Sequence, residues 1–402
     1  MLLHDFDQII ERRGTECKKY DTYPADVLPL WIADTDFKCP QPIVDAMVAR
    51  AQHGIYGYPI NAANFSRAVA RWQKERFGWD VQEPWVEYTN AVMPAIIYAI
   101  KTFSQPGDNV LIQCPVYPPF HRVILDNGRF IVNNQLLLVG GQYQIDFEDL
   151  EAKLKQPRTR VMVLCHPHNP VGKAFTREEL LRIGELCARH HVLVVVDEIH
   201  QDILYQGHQH FPFASLSDTN RDNSITCVNP SKTFNIAGFR TGAAIIPNPA
   251  IRELFVECVV NHKAYGRTTF GTLSLEVAYN ECGYYADQLM QYLQGNLEFM
   301  LECFERHIPR IQVIRPQATY LIWLDCRALG LTPKELNRLM LETAKVALND
   351  GDSFGPGGAG FMRINIACTR ATLTEALQRI RKAVDGMPGN ERSTQPISFA
   401  RP

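Results

Sequence analysis

The stretch that decides the fold is "RVMVLCHPHNPVGKAFTREELLRIGELCARHHVLVVVDEIH", residues 160–200. "RVMVLC" is a short β-rich run, closed by the turn-rich "HPHNPVG". In "TREELLRIGELCARH", Leu180, Ile183 and Cys187 recur at helical spacing, as do Leu181 and Gly184. Thr176 stands where an N-cap belongs, and Glu179 three residues on completes a capping box. "VLVVVDE" follows at once. Strand, crossover helix, strand is a βαβ unit. A strand apolar along its whole length fits a parallel sheet covered on both faces.

Outward from this unit, "NVLIQC" (109–114), "SITCV" (224–228) and "GAAII" (242–246) supply further strands. The alternation of β-rich and amphipathic segments predicts an α/β large domain over 46–285, its mostly parallel mixed sheet covered by helices. The last third changes character. A helical stretch over 284–307 leads to isolated strands at 320–326 and 361–368, then to an amphipathic helix over 372–387. These segments, with the N-terminal 45 residues, predict a smaller α+β domain built from 1–45 and 286–387. The polar "PGNERSTQPISFARP" (388–402) reads as a disordered tail.

At 402 residues the chain exceeds one small core, which agrees with two domains. A net charge of −2 without blocks of like charge leaves no basis for a nucleic-acid or membrane-surface partner. Runs such as "VLVVV" are far short of a membrane span, and "MLLHDFDQIIERR" lacks the apolar core of a signal peptide, so a cytoplasmic protein is expected. Eleven cysteines are an odd count without any C-x-x-C. Cys165, Cys227 and Cys368 lie in or beside apolar runs, as reduced, buried thiols do.

In a doubly wound sheet, ligands bind at the carboxyl ends of the strands. The polar residues ending these strands are Asn169, then Asp197 and His200, then Ser231 and Lys232. Pyridoxal phosphate needs such a set: a lysine for its aldehyde, an acid to keep its ring nitrogen protonated, and donors for its phenolic oxygen and phosphate. Lys232 fits the first role, Asp197 the second and Asn169 the third. Ser231 and Arg240 fit the phosphate.

"NPVG" (169–172), "DEIH" (197–200) and "SKTFNIAGFR" (231–240) together resemble the fold-type I pyridoxal phosphate enzymes, the aspartate aminotransferase superfamily. "LPLWIADTDF" (28–37), "GIYGYP" (54–59), "CPVYPPF" (114–120) and "CHPHNPVGK" (165–173) resemble its cystathionine β-lyase subgroup, which includes cystalysin-like C–S lyases. The resemblance runs over residues 3 to 385. It implies that Tyr117 stacks on the pyridine ring and takes part in catalysis with Lys232. It implies that backbone N–H groups around Ala91 and Val92 hold the phosphate at a helix N-terminus. Tyr58 would reach the phosphate of a neighbouring subunit's cofactor, which makes the protein a homodimer. Arg363 would bind the substrate carboxylate, with Ala33 and Asn169 also on the substrate side.

His200 stands where aminotransferases of the wider superfamily carry a tyrosine, a replacement shared by the cystathionine β-lyase branch. Pro118 stands where some cysteine lyases carry a second tyrosine. Two H-x-H pairs, His166 with His168 and His208 with His210, lack acidic or cysteine companions in sequence and predict no metal site. "FGPGGAGF" (354–361) lacks the Lys-Ser ending of a P-loop and reads as a flexible loop before Arg363. The expected activity is α,β-elimination on L-cystathionine, L-cysteine or a cysteine S-conjugate. An aminotransferase, or a regulatory protein using the same pocket, are the alternatives.

Overall fold

The computed structural model describes residues 3–60 and 63–387, so the expected tail over 388–402 lies outside the described residues. Seven strands form the larger sheet: β1 (Val86–Thr89), β2 (Asn109–Ile112), β3 (Phe130–Asn133), β4 (Thr159–Cys165), β5 (Leu193–Asp197), β6 (Ser224–Val228) and β7 (Gly242–Ile245). Their order across the sheet is β1-β7-β6-β5-β4-β2-β3. The five strands from β6 to β3 are parallel, and β7 runs antiparallel between β6 and β1. The sheet is mixed and mostly parallel, as the sequence predicts.

Every residue of β5 and β6 is buried, because helices cover both faces. On one face lies α2 (Arg177–Arg189), with Leu180, Ile183 and Cys187 turned inward. The Thr176–Glu179 capping box forms as expected and fixes where this helix starts. On the other face lies α1 (Val92–Phe103), which buries Ile96 and Ile100.

A four-stranded antiparallel sheet follows: β8 (Gln312–Ile314), β9 (Leu321–Asp325), β10 (Asn349–Asp350) and β11 (Phe361–Asn365), in the order β8-β9-β11-β10. It packs with α4 (Gly283–His307) and α5 (Arg370–Asp385), close to the predicted helices over 284–307 and 372–387; the short helix carrying Lys232 is α3 (Ser231–Phe234). N-terminal residues join this part of the chain: Leu28–Pro29 pairs with Val346–Ala347, and the Asn365 amide donates to the Leu30 carbonyl. Among the described residues every cysteine carries a free thiol, and no helix is long and apolar enough to cross a membrane.

The glycine run before β11 is packed rather than loose. A Cβ on Gly358 would lie 1.9 Å from the Gly351 carbonyl oxygen, and one on Gly351 would lie 2.3 Å from that of Gly358. The Val116 amide donates to the Phe354 carbonyl, and the Gln135 side-chain amide donates to that of Pro356. The glycines permit close backbone contact here, a use of glycine that the sequence does not separate from flexibility.

Candidate active site

The register of the central strands builds the site. Cys165 pairs with Asp197, and Asp197 with Cys227, so β4, β5 and β6 end side by side. The segments that leave them carry Asn169, His200 and Lys232 to one sheet edge. Because β1 is parallel to these strands, α1 also starts at that edge. A recess there is lined by Ala33, Ala91, Val92, Tyr117, Asn169, Asp197, His200, Ser231 and Lys232, with Met93, Cys165, Ile199, Asn229 and Ala237 between them.

Lys232 lies on α3, one short turn that ends at Asn235 in the left-handed region (φ 55°). The Asn235 amide nitrogen donates to the carbonyls of Thr35 and Phe37, and the Thr233 hydroxyl donates to buried Asp202. With the turn held on two sides, Lys232 Nζ donates to the Ala33 carbonyl at 2.7 Å. Desolvation lowers this amine to about 8, against the pull of Asp34 and Asp197; Arg363 pushes it down further. A lysine with that value has a usable fraction of free base near neutrality.

Asp197 is raised to about 7, chiefly by desolvation; the Ile199 amide and the Lys232 charge partly offset this. A buried carboxylate in that state is best satisfied by a cation beside it. His200 is buried with no partner for Nδ1, and desolvation holds its ring neutral.

Arg363 is buried on β11 and donates to three neutral oxygens: Asn169 Oδ1 at 2.8 Å, the Trp31 carbonyl at 2.9 Å and Asn349 Oδ1. Its Nε has no partner, and desolvation lowers it to about 10. A buried guanidinium held only by neutral oxygens is poised for an anion. Because Asn169 Oδ1 accepts from Arg363, its amide nitrogen is left to donate elsewhere in the recess.

The far end of the recess is a helix N-terminus. Ala91, the N-cap of α1, takes φ 144° and ψ 175°, and no side chain caps this helix, so its first N–H groups are open to an anion. The backbones crowd here. A Cβ on Gly242 would lie 3.2 Å from the Val228 carbonyl, 3.3 Å from the Asn229 amide nitrogen and 3.4 Å from Ala91 Cα. A side chain here would press these neighbours apart by a few tenths of an ångström.

These features fit pyridoxal phosphate: an amine near 8 for the aldehyde, an acid in want of a cation for the ring nitrogen, an uncapped helix start for the phosphate, and a buried cation for a substrate carboxylate.

Three expected residues do not line the recess in a single chain: Arg363 lies behind it, bonded to Asn169, which does line it, and the other two are Arg240 and Tyr58. Arg240 lies on an exposed turn at φ 50°, and Tyr58 is 106% exposed. Of the paired histidines, His208 is exposed and the other three are buried in packing. His166 and His210 stack at 4.5 Å, His210 bonds Glu198 at 3.1 Å, and His168 bonds the Pro115 carbonyl at 2.9 Å. Sequence reading missed Tyr320, whose hydroxyl donates to the Ala33 carbonyl at 3.2 Å, and Asp34, which acts on Lys232. Asp34 stands within "LPLWIADTDF" but next to no strand end, and Tyr320 stands in no motif; only the fold brings them to the lysine.

Comparison with known proteins agrees with this geometry. The chain is 43% identical over 385 residues to cystathionine beta-lyase PatB of Bacillus subtilis (strain 168), covering 94% of this chain and all of that one. The crystal structure of cystalysin from Treponema denticola, which contains pyridoxal 5'-phosphate, superposes with a TM-score of 0.93 at 34% identity, over 96% of this chain and 99% of that one. A PLP-bound C-S lyase from Staphylococcus hominis gives a TM-score of 0.89 at 27% identity, over 95% and 99% of the two chains. The fold-type I architecture implied by the motifs is therefore the one present. With the profile of aminotransferase class I and II matching residues 25–380, the chain belongs to that family.

Proposed function

We propose that the protein is a pyridoxal phosphate-dependent carbon–sulfur β-lyase. It takes an amino acid with sulfur on Cβ, such as L-cystathionine, L-cysteine or a cysteine S-conjugate, to pyruvate, ammonia and a thiol. The observation that carries the reading is one recess holding an amine lowered to about 8 and an acid raised to about 7, with a buried guanidinium bonded to the Asn169 that lines it. The choice of elimination is supported by relatives named as β-lyases and C–S lyases.

When bound, pyridoxal phosphate supplies an aldehyde for the substrate amine and an electron sink for charge developing at Cα. The chain's own residues do the rest. Arg363 holds the substrate carboxylate and thereby presents the Cα–H bond to Lys232. Lys232 Nζ, oriented by the Ala33 carbonyl, removes the Cα proton and then holds a proton that it can hand to the leaving sulfur. Asp197 would keep the proton on the cofactor's ring nitrogen, the Asn169 amide would donate to its phenolic oxygen, and Tyr117 would cover the ring. Ser231 and the N–H groups at Ala91 and Val92 would bind its phosphate, with Arg240 joining them from the exposed turn that follows α3. Water completes the release of pyruvate and ammonia.

The reading includes a homodimer in which Tyr58 reaches the partner's phosphate. Ile55, Tyr56, Tyr58 and Ile60, within six residues of one another, are all exposed large apolar or aromatic residues, which supports it. It also includes the division into 46–285 and 1–45 with 286–387, supported by the pairing of Leu28–Pro29 with Val346–Ala347. A cytoplasmic location goes with the free thiols.

An aminotransferase would use the same residues, with Lys232 returning the proton to the cofactor carbon. Amino-acid consumption with and without a keto acid separates the two. A lyase turns over steadily without the keto acid, whereas an aminotransferase stops after one equivalent per site.

A further inference from the structure

Lys232 and the Ala33 carbonyl meet across 199 positions of sequence, so something must hold Ala33 in place. The segment 31–37 has little regular structure of its own. From one side it is tied by β11 and the lysine turn. Asn365 donates to the carbonyls of Ile32 and Asp34, Asn235 to those of Thr35 and Phe37, and the Asp36 amide to the Ala367 carbonyl. From the other side it meets a compact set of charges from the first 20 residues. Arg12 reaches Asp34 at 2.8 Å, Asp36 at 2.6 Å and the Thr35 carbonyl at 2.9 Å. The Lys19 ammonium, with no side-chain exposure, sits 3.3 Å from Asp34 and 3.0 Å from Asp36. Two cations and two carboxylates are thus cross-paired directly behind the residue that holds the lysine.

We propose that Arg12 and Lys19 are positioning residues of the lysine site: by clamping Asp34 and Asp36 they hold the Ala33 carbonyl against the Lys232 amine and balance the Asp34 charge that the amine faces. A buried cation between two carboxylates is an expensive way to fasten a loop, since apolar packing fastens as well. What apolar packing does not supply is control of charge. The groups facing Lys232 are Asp34 from this segment, Asp197 from β5, Arg363 from β11, and the neutral His200 and Tyr320 rings. Those facing the clamp are Tyr20, whose ring lies 5.2 Å from the Arg12 guanidinium carbon, Cys17 and Cys368. Asp34 is the largest influence drawing a proton toward Lys232, and Arg12 and Lys19 are the cations that offset it.

The inference rests on the reading of Lys232 as the reacting amine, and one experiment tests both separately. The full chain, with and without added pyridoxal phosphate, is exposed to trace acetic anhydride across pH 6–11, and labelling at Lys232 is read by peptide mapping. Protection of Lys232 by the cofactor supports the underlying reading, and equal labelling with and without it defeats that reading alone. In the cofactor-free chain, Arg12→Gln should raise the Lys232 midpoint by roughly half a unit to one unit, slowing labelling at pH 8 about two- to fivefold. Asp34→Asn should move it the opposite way, and Arg12→Lys should return it toward the parent value. A segment that merely loosened and let water in would raise the midpoint in both Arg12→Gln and Asp34→Asn. That result, or no movement in either, overturns the proposal. If Arg12→Gln does not fold, as judged by far-UV circular dichroism, the sign of the Asp34→Asn shift decides alone.

Discussion

Replacing Arg363 by lysine keeps a positive charge on β11 but removes the planar fork. In the parent, the guanidinium spans Asn169, Asn349 and the Trp31 carbonyl, and still has an unpartnered Nε in a buried site. An ammonium there is a point charge on a flexible stem and cannot reach the same acceptors while meeting a carboxylate in plane. Losing one charge-assisted hydrogen bond to the substrate is worth about 1.5–3 kcal/mol, a fall of roughly 10- to 100-fold in kcat/KM. The loss should exceed this in Arg363→Met, which leaves the carboxylate without a cation. Steady-state kinetics on L-cystathionine, with thermal unfolding of the same samples as a check on folding, measures this. A kcat/KM for Arg363→Lys within about threefold of the parent, in a folded protein, would refute the assignment of the carboxylate to this residue.

Lys232→Ala should abolish turnover while leaving a folded, cofactor-binding protein; persistence of turnover would mean another base. Asp197→Asn should lose most activity, yet stabilise the cofactor-free protein at pH 8. The folded-state value of Asp197, about 7, lies above its unfolded value near 3.9, so its folded carboxyl holds a proton more tightly and stability falls as pH rises from about 4 to 7. Removing the group should recover up to roughly 4 kcal/mol above that window, seen as a higher Tm at pH 8 and little change at pH 4. Gly358→Ala places a carbon 1.9 Å from the Gly351 carbonyl oxygen and should lower Tm by several degrees, whereas a freely moving loop would tolerate it. Mixing inactive Lys232→Ala subunits with weakened Tyr58→Ala subunits should restore activity through hybrids with one intact site; no gain on mixing would contradict a shared site.

Much of this was legible because the informative residues are local. A continuous β-branched run marks a strand buried on both faces, and a polar residue ending such a run points to the sheet edge; Asn169, Asp197 and Lys232 follow from that alone. β7 did not reveal its direction, since "GAAI" is buried in either orientation. Tyr320, 287 positions from Ala33, and the Arg12–Asp34 pair depend on tertiary packing that leaves no periodicity. The glycine run before β11 was misread because composition cannot distinguish freedom from close contact. Tyr58 rests on resemblance and Arg240 on its place after the lysine turn, and a single chain leaves both exposed.

The most direct test of the central claim is product analysis of purified, pyridoxal phosphate-loaded protein given L-cystathionine with no keto acid present. Continuous release of pyruvate and a free thiol in equal amounts, over many turnovers per site, is the expected result. Absence of pyruvate, while the cofactor's absorbance still shifts on adding the amino acid, would show a site that binds without eliminating and would contradict the lyase assignment.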